Sequence, residues 1–220
     1  TRVLQIGDGV IKDYSDIIYH FDSLATENFR KGLPTASNTN ATLPCEIFNY
    51  HKDKKTAVKY RLILNGGVLC YDDTYPVFDW KFSSDDPIRI MGYSCCKASV
   101  SFAGREYSVW YSLDIPIPYG PYKFYGLPGL ILKVEESEGM YIWEAFSIVK
   151  SSTPINEYTY EKEIRCSRQE ADKTIGRMMR QPMTFLTASG SRLMVARSDG
   201  SFGAPENNEK ENLYEPIELR

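Results

Sequence analysis

Two histidines are the side chains of this chain best suited to proton transfer near neutral pH. His20 lies near the apolar side of a predicted helix, and His51 lies in a lysine-rich turn. Neither has a carboxylate or nucleophile at a recognisable spacing, and the Gly-x-Ser-x-Gly turn of many hydrolases is absent. The main interpretation is therefore that the chain is not an enzyme, with a hydrolase or peptidase of unrecognised site as the alternative.

Acidic pairs and cysteines are the remaining groups that could hold a metal ion. Asp72-Asp73 and Asp85-Asp86 lack the glycine and glutamate spacing of a calcium loop, so we interpret them as turn and cap residues. Cys95-Cys96 cannot both face one metal ion from a strand, because successive side chains point to opposite faces. The five cysteines leave one thiol unpaired if the others form disulfides, in any of 15 patterns. We predict no metal site and no cofactor.

A long loop rich in glycine, proline and aromatic residues is the strongest candidate for a binding surface. Proline fixes φ and glycine permits close backbone approach, so the segment from Leu113 to Gly129 is conformationally restricted. It is not a phosphate loop, because its last glycine opens an apolar strand and not a helix. The alternative is that the loop only closes one end of the sheet. The candidate ligand or partner residues are Trp110, Asp114, Tyr119, Tyr122, Lys123, Phe124, Leu127 and Pro128.

Composition limits the partners that such a loop could have. The net charge of −3 and the absence of a basic block argue against nucleic acid. No run approaches the roughly 20 apolar residues that a membrane-spanning helix needs. The start at Thr1-Arg2-Val3 suggests a processed chain.

The elements that position the loop are mainly strands. Apolar spacing predicts a helix within Asp13 to Lys31, and a Ser-x-x-Glu pattern at Ser167 predicts the start of a second helix. Segments that begin at Lys97, Glu106, Leu130 and Met140 predict an antiparallel meander of four strands. The fold class is therefore mainly β with a few helices (α+β), as a curved antiparallel sheet or half-barrel with helices on one face.

The length suits a single domain over residues 1–220. The polar composition of residues 198–211 predicts a flexible segment. Apolar residues return between Tyr214 and Leu219, and we expect this part to dock on the sheet.

The sequence Gly126-Leu-Pro-Gly-Leu-Ile131 resembles the motif that names the GLPGLI proteins of Bacteroidota. Flanking features are also similar, among them Asp114-Ile-Pro116, Gly120-Pro-Tyr-Lys-Phe124 and Pro216-Ile-Glu-Leu219. The resemblance spans nearly the whole chain.

This resemblance implies an exported protein, periplasmic or extracellular, of a Gram-negative envelope, encoded in some cases near TonB-dependent outer-membrane receptors. It also implies that Cys95 is bridged and Cys96 is the free thiol. The meander with helices is similar to LolA-like half-barrels, which hold an apolar guest. The predicted function is therefore non-enzymatic binding of an apolar or peptide ligand, or of an outer-membrane partner, through the 115–129 loop.

Overall fold

The computed structural model describes residues 1–33, 43–63, 66–188, 195–196, 200–203 and 210–219. In chain order the elements are β1 (Arg2–Ile6), β2 (Val10–Ser15), α1 (Asp16–Arg30), β3 (Cys45–Tyr50), β4 (Lys55–Arg61), β5 (Val68–Thr74), β6 (Lys81–Phe82), β7 (Ile88–Ile90), β8 (Tyr93–Phe102), β9 (Arg105–Ser112), β10 (Leu130–Glu136), β11 (Ile142–Glu144), β12 (Glu163–Arg165), α2 (Arg168–Arg180), α3 (Pro182–Ala188), β13 (Val195–Ala196) and β14 (Phe202–Gly203).

The strands form two large sheets and one small ribbon in the described part of the chain. The first sheet has the order β1-β2-β3-β4-β5-β12, in which only β12 is parallel to its neighbour. The second sheet has the order β11-β10-β9-β8-β6, with β7 also paired to β8. The ribbon joins β13 and β14. The prediction of a mainly β fold with a few helices is confirmed, with two sheets and no closed barrel in these residues.

The core lies between the two large sheets because alternate residues of each strand point inward. The first sheet contributes Ile47, Val58, Tyr60, Leu69 and Tyr71; the second contributes Ala98, Val100, Tyr107, Val109 and Val134. Helix α2 adds Ala171, Ile175 and Met178 to the same core. Side chains at the intervening positions of the first sheet face its other side, which we call the outer face.

The predicted meander is confirmed as β8 to β11, with each strand antiparallel to the next. The second helix is also confirmed, because the Ser167 side chain accepts from the Glu170 amide and the Glu170 carboxylate accepts from the Ser167 amide. Helix α1 begins at Asp16, three residues later than its earliest predicted start. The reason is that Val10–Ser15 pairs with both β1 and β3, which holds these residues in a strand.

A segment of residues 213–219 docks across the second sheet, as expected. The Leu219 amide donates to the Ala103 carbonyl at 2.8 Å, and Arg105 donates to the Pro216 carbonyl at 2.9 Å. Residues 197–199 and 204–209 lie outside the described residues, so the flexible segment at 198–211 stays a prediction.

Candidate functional site

The Gly/Pro-rich loop between β9 and β10 enters the space between the two sheets. Tyr122, Lys123 and Phe124 are each at most 4% exposed, and Leu127 is fully buried. Close packing explains two of the glycines. A Cβ on Gly120 would lie 2.7 Å from Ile131 Cβ, and one on Gly129 would lie 2.0 Å from the Ser112 carbonyl oxygen. The loop tip is thus part of the core.

Hydrogen bonds from the first sheet hold the loop backbone. The Tyr122 amide donates to Asp13 Oδ2 at 3.1 Å, and Asn49 Nδ2 donates to the Tyr122 carbonyl at 3.0 Å. Thr56 donates to Asn49 Oδ1 at 2.9 Å, which orients that amide. All three side chains are buried. They form a strip of polar side chains on the inner face of the first sheet, and this strip satisfies the hydrogen-bonding groups of the loop backbone.

Four charged side chains meet beside this strip, and we call them the inner charge cluster: Lys123, Asp73, Glu218 and Arg168. Lys123 Nζ lies 2.5 Å from Asp73 Oδ2 and also binds Glu218 Oε1. Arg168 binds Asp73 and contacts Glu218 Oε2 at 3.2 Å. The Tyr122 hydroxyl donates to Glu218 Oε1 at 2.5 Å.

Every member of the inner charge cluster has a partner of opposite charge. Burial raises the pKa of Glu218, but the charges of Lys123 and Arg168 outweigh it and lower that pKa to about 2. The carboxylate therefore stays ionised and cannot serve as a proton donor near neutral pH. The cluster crosslinks the loop, β5, α2 and the 213–219 segment.

The structure does not bring the eight sequence-predicted site residues together. Four lie in the core, as described above. Asp114 and Pro128 are exposed, while Trp110 is half-buried under the ammonium groups of Lys97 and Lys133. Tyr119 stacks on His51 with ring centroids 4.3 Å apart. Ligand or partner contact by these eight residues stays a prediction.

His51 faces hydroxyl groups and not a catalytic carboxylate. Its Nδ1 is hydrogen-bonded to the Tyr75 hydroxyl, and its buried Nε2 has no hydrogen-bond partner among the described residues. Burial, together with the nearby charge of Lys54, lowers the pKa of His51. His20 lies on exposed α1, with Nε2 at 3.2 Å from Asp16. Within the described part of the chain, neither histidine has the serine or cysteine partner that a nucleophilic hydrolase would need.

A groove crosses the outer face of the first sheet near the β3–β4 turn. Its volume is about 450 Å³. It is bordered by Tyr50, Asp53, Lys55, Ala57, Val58, Lys59, Cys70, Tyr71, Asp72, Glu157, Glu163, Arg165 and Cys166. We call this feature the outer groove.

Strand register places the outer-groove side chains in rows. Lys59 pairs with Cys70, and Cys70 pairs with Arg165, so these three side chains cross β4, β5 and β12 on one face. The segment before β12 forms one wall, since Lys59 Nζ donates to the Tyr158 carbonyl at 2.5 Å and lies 3.2 Å from Glu157.

Charges in the outer groove are partly paired. Lys59 Nζ lies 2.9 Å from Glu163, and this hydrogen bond is the main reason that the pKa of Glu163 is lowered. Lys55 lies 3.1 Å from Asp72 at the opposite end. Burial raises the pKa of the Cys70 thiol to about 11, so this thiol stays neutral between Lys59 and Arg165. The groove therefore offers hydrogen-bond donors and acceptors on either side of a neutral thiol.

Sequence reasoning missed the outer groove and the inner charge cluster. A signal for the groove exists in β4, where Lys55, Ala57 and Lys59 alternate with inward residues. Its wall comes from about 100 residues further along the chain, and no local pattern indicates that contact. Lys123, by contrast, was selected as a loop residue, but its burial between Tyr122 and Phe124 gives it a different role.

All five cysteines are free thiols in the structure, including Cys95, so the bridge implied for it is not present. No group of three or more histidine, cysteine, aspartate or glutamate side chains is arranged to hold a metal ion in the described ranges. No described helix is long and apolar enough to cross a membrane.

Comparison with known proteins gives one family. The model of the N-glycanase peptide N-terminal domain, PNGase_F-II_N, matches residues 9–172. No curated protein matches the chain.

Solved structures with the same fold come from PNGF-II. The structure in the P21 space group has a TM-score of 0.55 at 17% identity and covers 78% of this chain and 28% of its own. The structure in the C2 space group has a TM-score of 0.51 at 14% identity and covers 81% of this chain and 30% of its own. The chain thus spans less than a third of these proteins.

These similarities correct the interpretation drawn from sequence. The assignment to GLPGLI proteins is wrong, because the matching family model and the similar structures are those of PNGase F-II. The preference for a non-enzymatic binding protein is also wrong, since the matching domain is that of an N-glycanase. The family model covers 9–172 of 220 residues, and the chain belongs to the N-glycanase peptide N-terminal domain family.

Proposed function

We propose that this chain is a glycan-processing domain that holds the carbohydrate of a glycoprotein in the outer groove during removal of the glycan by an N-glycanase. One observation carries the proposal: a domain of the N-glycanase family has an open groove of about 450 Å³ on the outer face of its first sheet. We further propose that residues 1–220 act as a single domain.

The chemistry of the groove suits a sugar. The Tyr50 ring, Ala57 and Cys70 provide an apolar and neutral surface for the C–H faces of a pyranose. Around it, ammonium groups donate and carboxylates accept, so sugar hydroxyls find both kinds of partner. Burial raises the pKa of Tyr50 to about 12, so its hydroxyl stays protonated and donates to Glu157 at 3.2 Å.

The same charges favour holding over cleavage within the groove. Hydrolysis by a carboxylic acid needs a group that is protonated near the working pH. Glu163 is hydrogen-bonded to Lys59, which lowers its pKa and keeps it ionised. We therefore propose that the outer groove binds the substrate and that cleavage of the glycan takes place outside the groove.

Partners and location follow from this proposal. The polypeptide that carries the glycan is the peptide partner, and a glycoprotein substrate fits a periplasmic or extracellular location. An outer-membrane receptor stays a prediction with no contact assigned to it.

Binding and cleavage can be tested on the purified chain. We expect an N-glycopeptide to bind in isothermal titration calorimetry, and its peptide without glycan to bind more weakly. Tyr50→Ala should weaken binding about tenfold or more, because one stacking surface is lost. Tyr19→Ala is the matched control, since Tyr19 is an exposed tyrosine of α1 outside the groove. Mass spectrometry of the same mixtures measures glycan release.

Two outcomes contradict the proposal. Absence of glycopeptide binding at millimolar concentration would remove the groove as a substrate site. Release of glycan by Tyr50→Ala at an unchanged rate would place substrate binding outside the groove.

A further inference from the structure

One cation of the outer groove has no partner. Arg165 is exposed on β12, and no ion pair or hydrogen bond joins its guanidinium to another described side chain. The two lysines of the groove differ in this respect, because Lys55 pairs with Asp72 and Lys59 pairs with Glu157 and Glu163. Arg165 thus keeps its five N–H donors for a ligand.

The charge of Arg165 is compensated only in part at that end of the groove, because it contributes less than the hydrogen bond from Lys59 to the lowered pKa of Glu163. Its neighbour across the sheet is Cys70, whose pKa of about 11 keeps the thiol neutral. The nearest acidic residue on its own strand, Glu163, lies about 7 Å along the strand and is bound to Lys59 at 2.9 Å. No carboxylate therefore occupies the position where a guanidinium would bind an anion side-on.

The one unpaired carboxylate of the groove lies at the other end. Asp53 is exposed in the turn between β3 and β4, whereas Arg165 lies two strands beyond β4. Two strand spacings separate these positions by about 10 Å across the sheet, and the six residues between Asp53 and the row of Lys59 add about 20 Å along β4, so their distance exceeds the screening length of about 8 Å in physiological salt. The groove therefore has an unpaired positive charge at its β12 end, whereas at its turn end the charges of Asp53 and the neighbouring Lys54 oppose each other.

We propose that Arg165 is a specificity-determining residue that binds a carboxylate on the ligand, and that the groove selects glycans with an acidic sugar such as a sialic acid. The inference rests on the proposed function, since it names the class of glycan that the same groove holds. A planar guanidinium matches a carboxylate with two parallel hydrogen bonds, which an ammonium group cannot do.

The test compares three probes on the full chain by calorimetry at low ionic strength. They are a sialylated N-glycopeptide, the same glycopeptide after sialidase treatment, and an acidic peptide without glycan. The sialylated probe should bind about fivefold more tightly than the neutral one, as expected for a solvent-exposed ion pair. This preference should shrink in 0.5 M salt, because salt screens exposed charges.

Two variants test whether Arg165 causes the preference for the sialylated glycopeptide. Arg165→Gln should bind both glycopeptides equally, and Arg165→Lys should keep only part of the preference. Arg177→Gln is the matched control, because Arg177 is an exposed arginine of α2 away from the groove. Circular dichroism of each variant confirms that the fold is retained.

The outcomes separate this inference from the proposed function. Equal binding of both glycopeptides by the unchanged chain, or a preference that survives in Arg165→Gln, would overturn the assignment of Arg165. Strong binding of the acidic peptide through Arg165 would assign the carboxylate to the polypeptide and overturn the acidic sugar. Loss of binding to all three probes would overturn the proposed function as well.

Discussion

The inner charge cluster and the outer groove use the same residue types on opposite faces of one sheet. In the cluster, Lys123 and Glu218 have side chains that are 2% exposed, and each charge is matched by another. In the groove, Glu157 is 51% exposed and Arg165 is unpaired. Burial makes an ion pair a fixed part of the structure, whereas exposure leaves charges free to exchange water for a ligand.

The largest effect should come from the loop that carries Lys123 into the core. Gly129→Ala would place a Cβ 2.0 Å from the Ser112 carbonyl oxygen, a contact that requires the backbone to move. We expect a loss of about 4 kcal/mol or more in the free energy of unfolding, measured by urea denaturation. Gly176→Ala is the control, because its Cβ would meet only the flexible end of Arg180 at 3.2 Å. A stable Gly129→Ala protein would show that the loop is not fixed by the core.

Removal of the central cation should have the next largest effect. Lys123→Met removes the ammonium group that lies between the buried carboxylates of Asp73 and Glu218, while Arg168 still binds both. We expect the free energy of unfolding, measured by urea denaturation, to fall by about 3 kcal/mol. The control is Lys97→Met, whose half-exposed ion pair with Asp85 at 3.5 Å should contribute less than about 1 kcal/mol. Similar losses of unfolding free energy in both variants would show that the buried ion pairs of Lys123 stabilise the fold no more than an exposed ion pair does.

Acid should weaken the inner charge cluster through Glu218. Its pKa is lowered in the folded state from 4.5 to about 2, so the unfolded chain binds the proton more tightly. The resulting stability, about 2–3 kcal/mol, is present above pH 4.5 and is lost as the pH falls toward 2. Denaturation of Glu218→Gln should show a flatter pH dependence in this window. An unchanged slope would assign the acid sensitivity to other carboxylates.

The smallest effect should come from the groove. Lys59→Met removes a cation that is 6% exposed from between Glu157 and Glu163, but the side chains of these partners are 51% and 17% exposed and remain hydrated. We expect a loss of about 1 kcal/mol in unfolding free energy, together with weaker glycopeptide binding in calorimetry. A loss as large as that of Lys123→Met would mean that the outer face is also structural.

Elements that local sequence patterns determine were predicted correctly. Features that depend on contacts between distant parts of the chain were missed. Alternation and a helix cap predicted the β8–β11 meander and the start of α2 at Ser167. The loop was recognised from its glycines and prolines, yet its position depends on Asp13 and Asn49, which lie about 70 to 110 residues away. The assignment of family and function was wrong, because the motifs that resemble GLPGLI proteins occur in a chain that matches the N-glycanase model over residues 9–172.

The 213–219 segment also has a consequence for the order of folding. Lys123 and Glu218 are 95 residues apart in the chain, so their contact closes a long loop. During synthesis, Lys123 and Arg168 leave the ribosome before the carboxylate of Glu218 that balances them. At typical rates of about 5–20 residues per second, Arg168 waits several seconds for it. The two sheets can form in that interval, but the charges of the inner charge cluster balance only when Glu218 arrives.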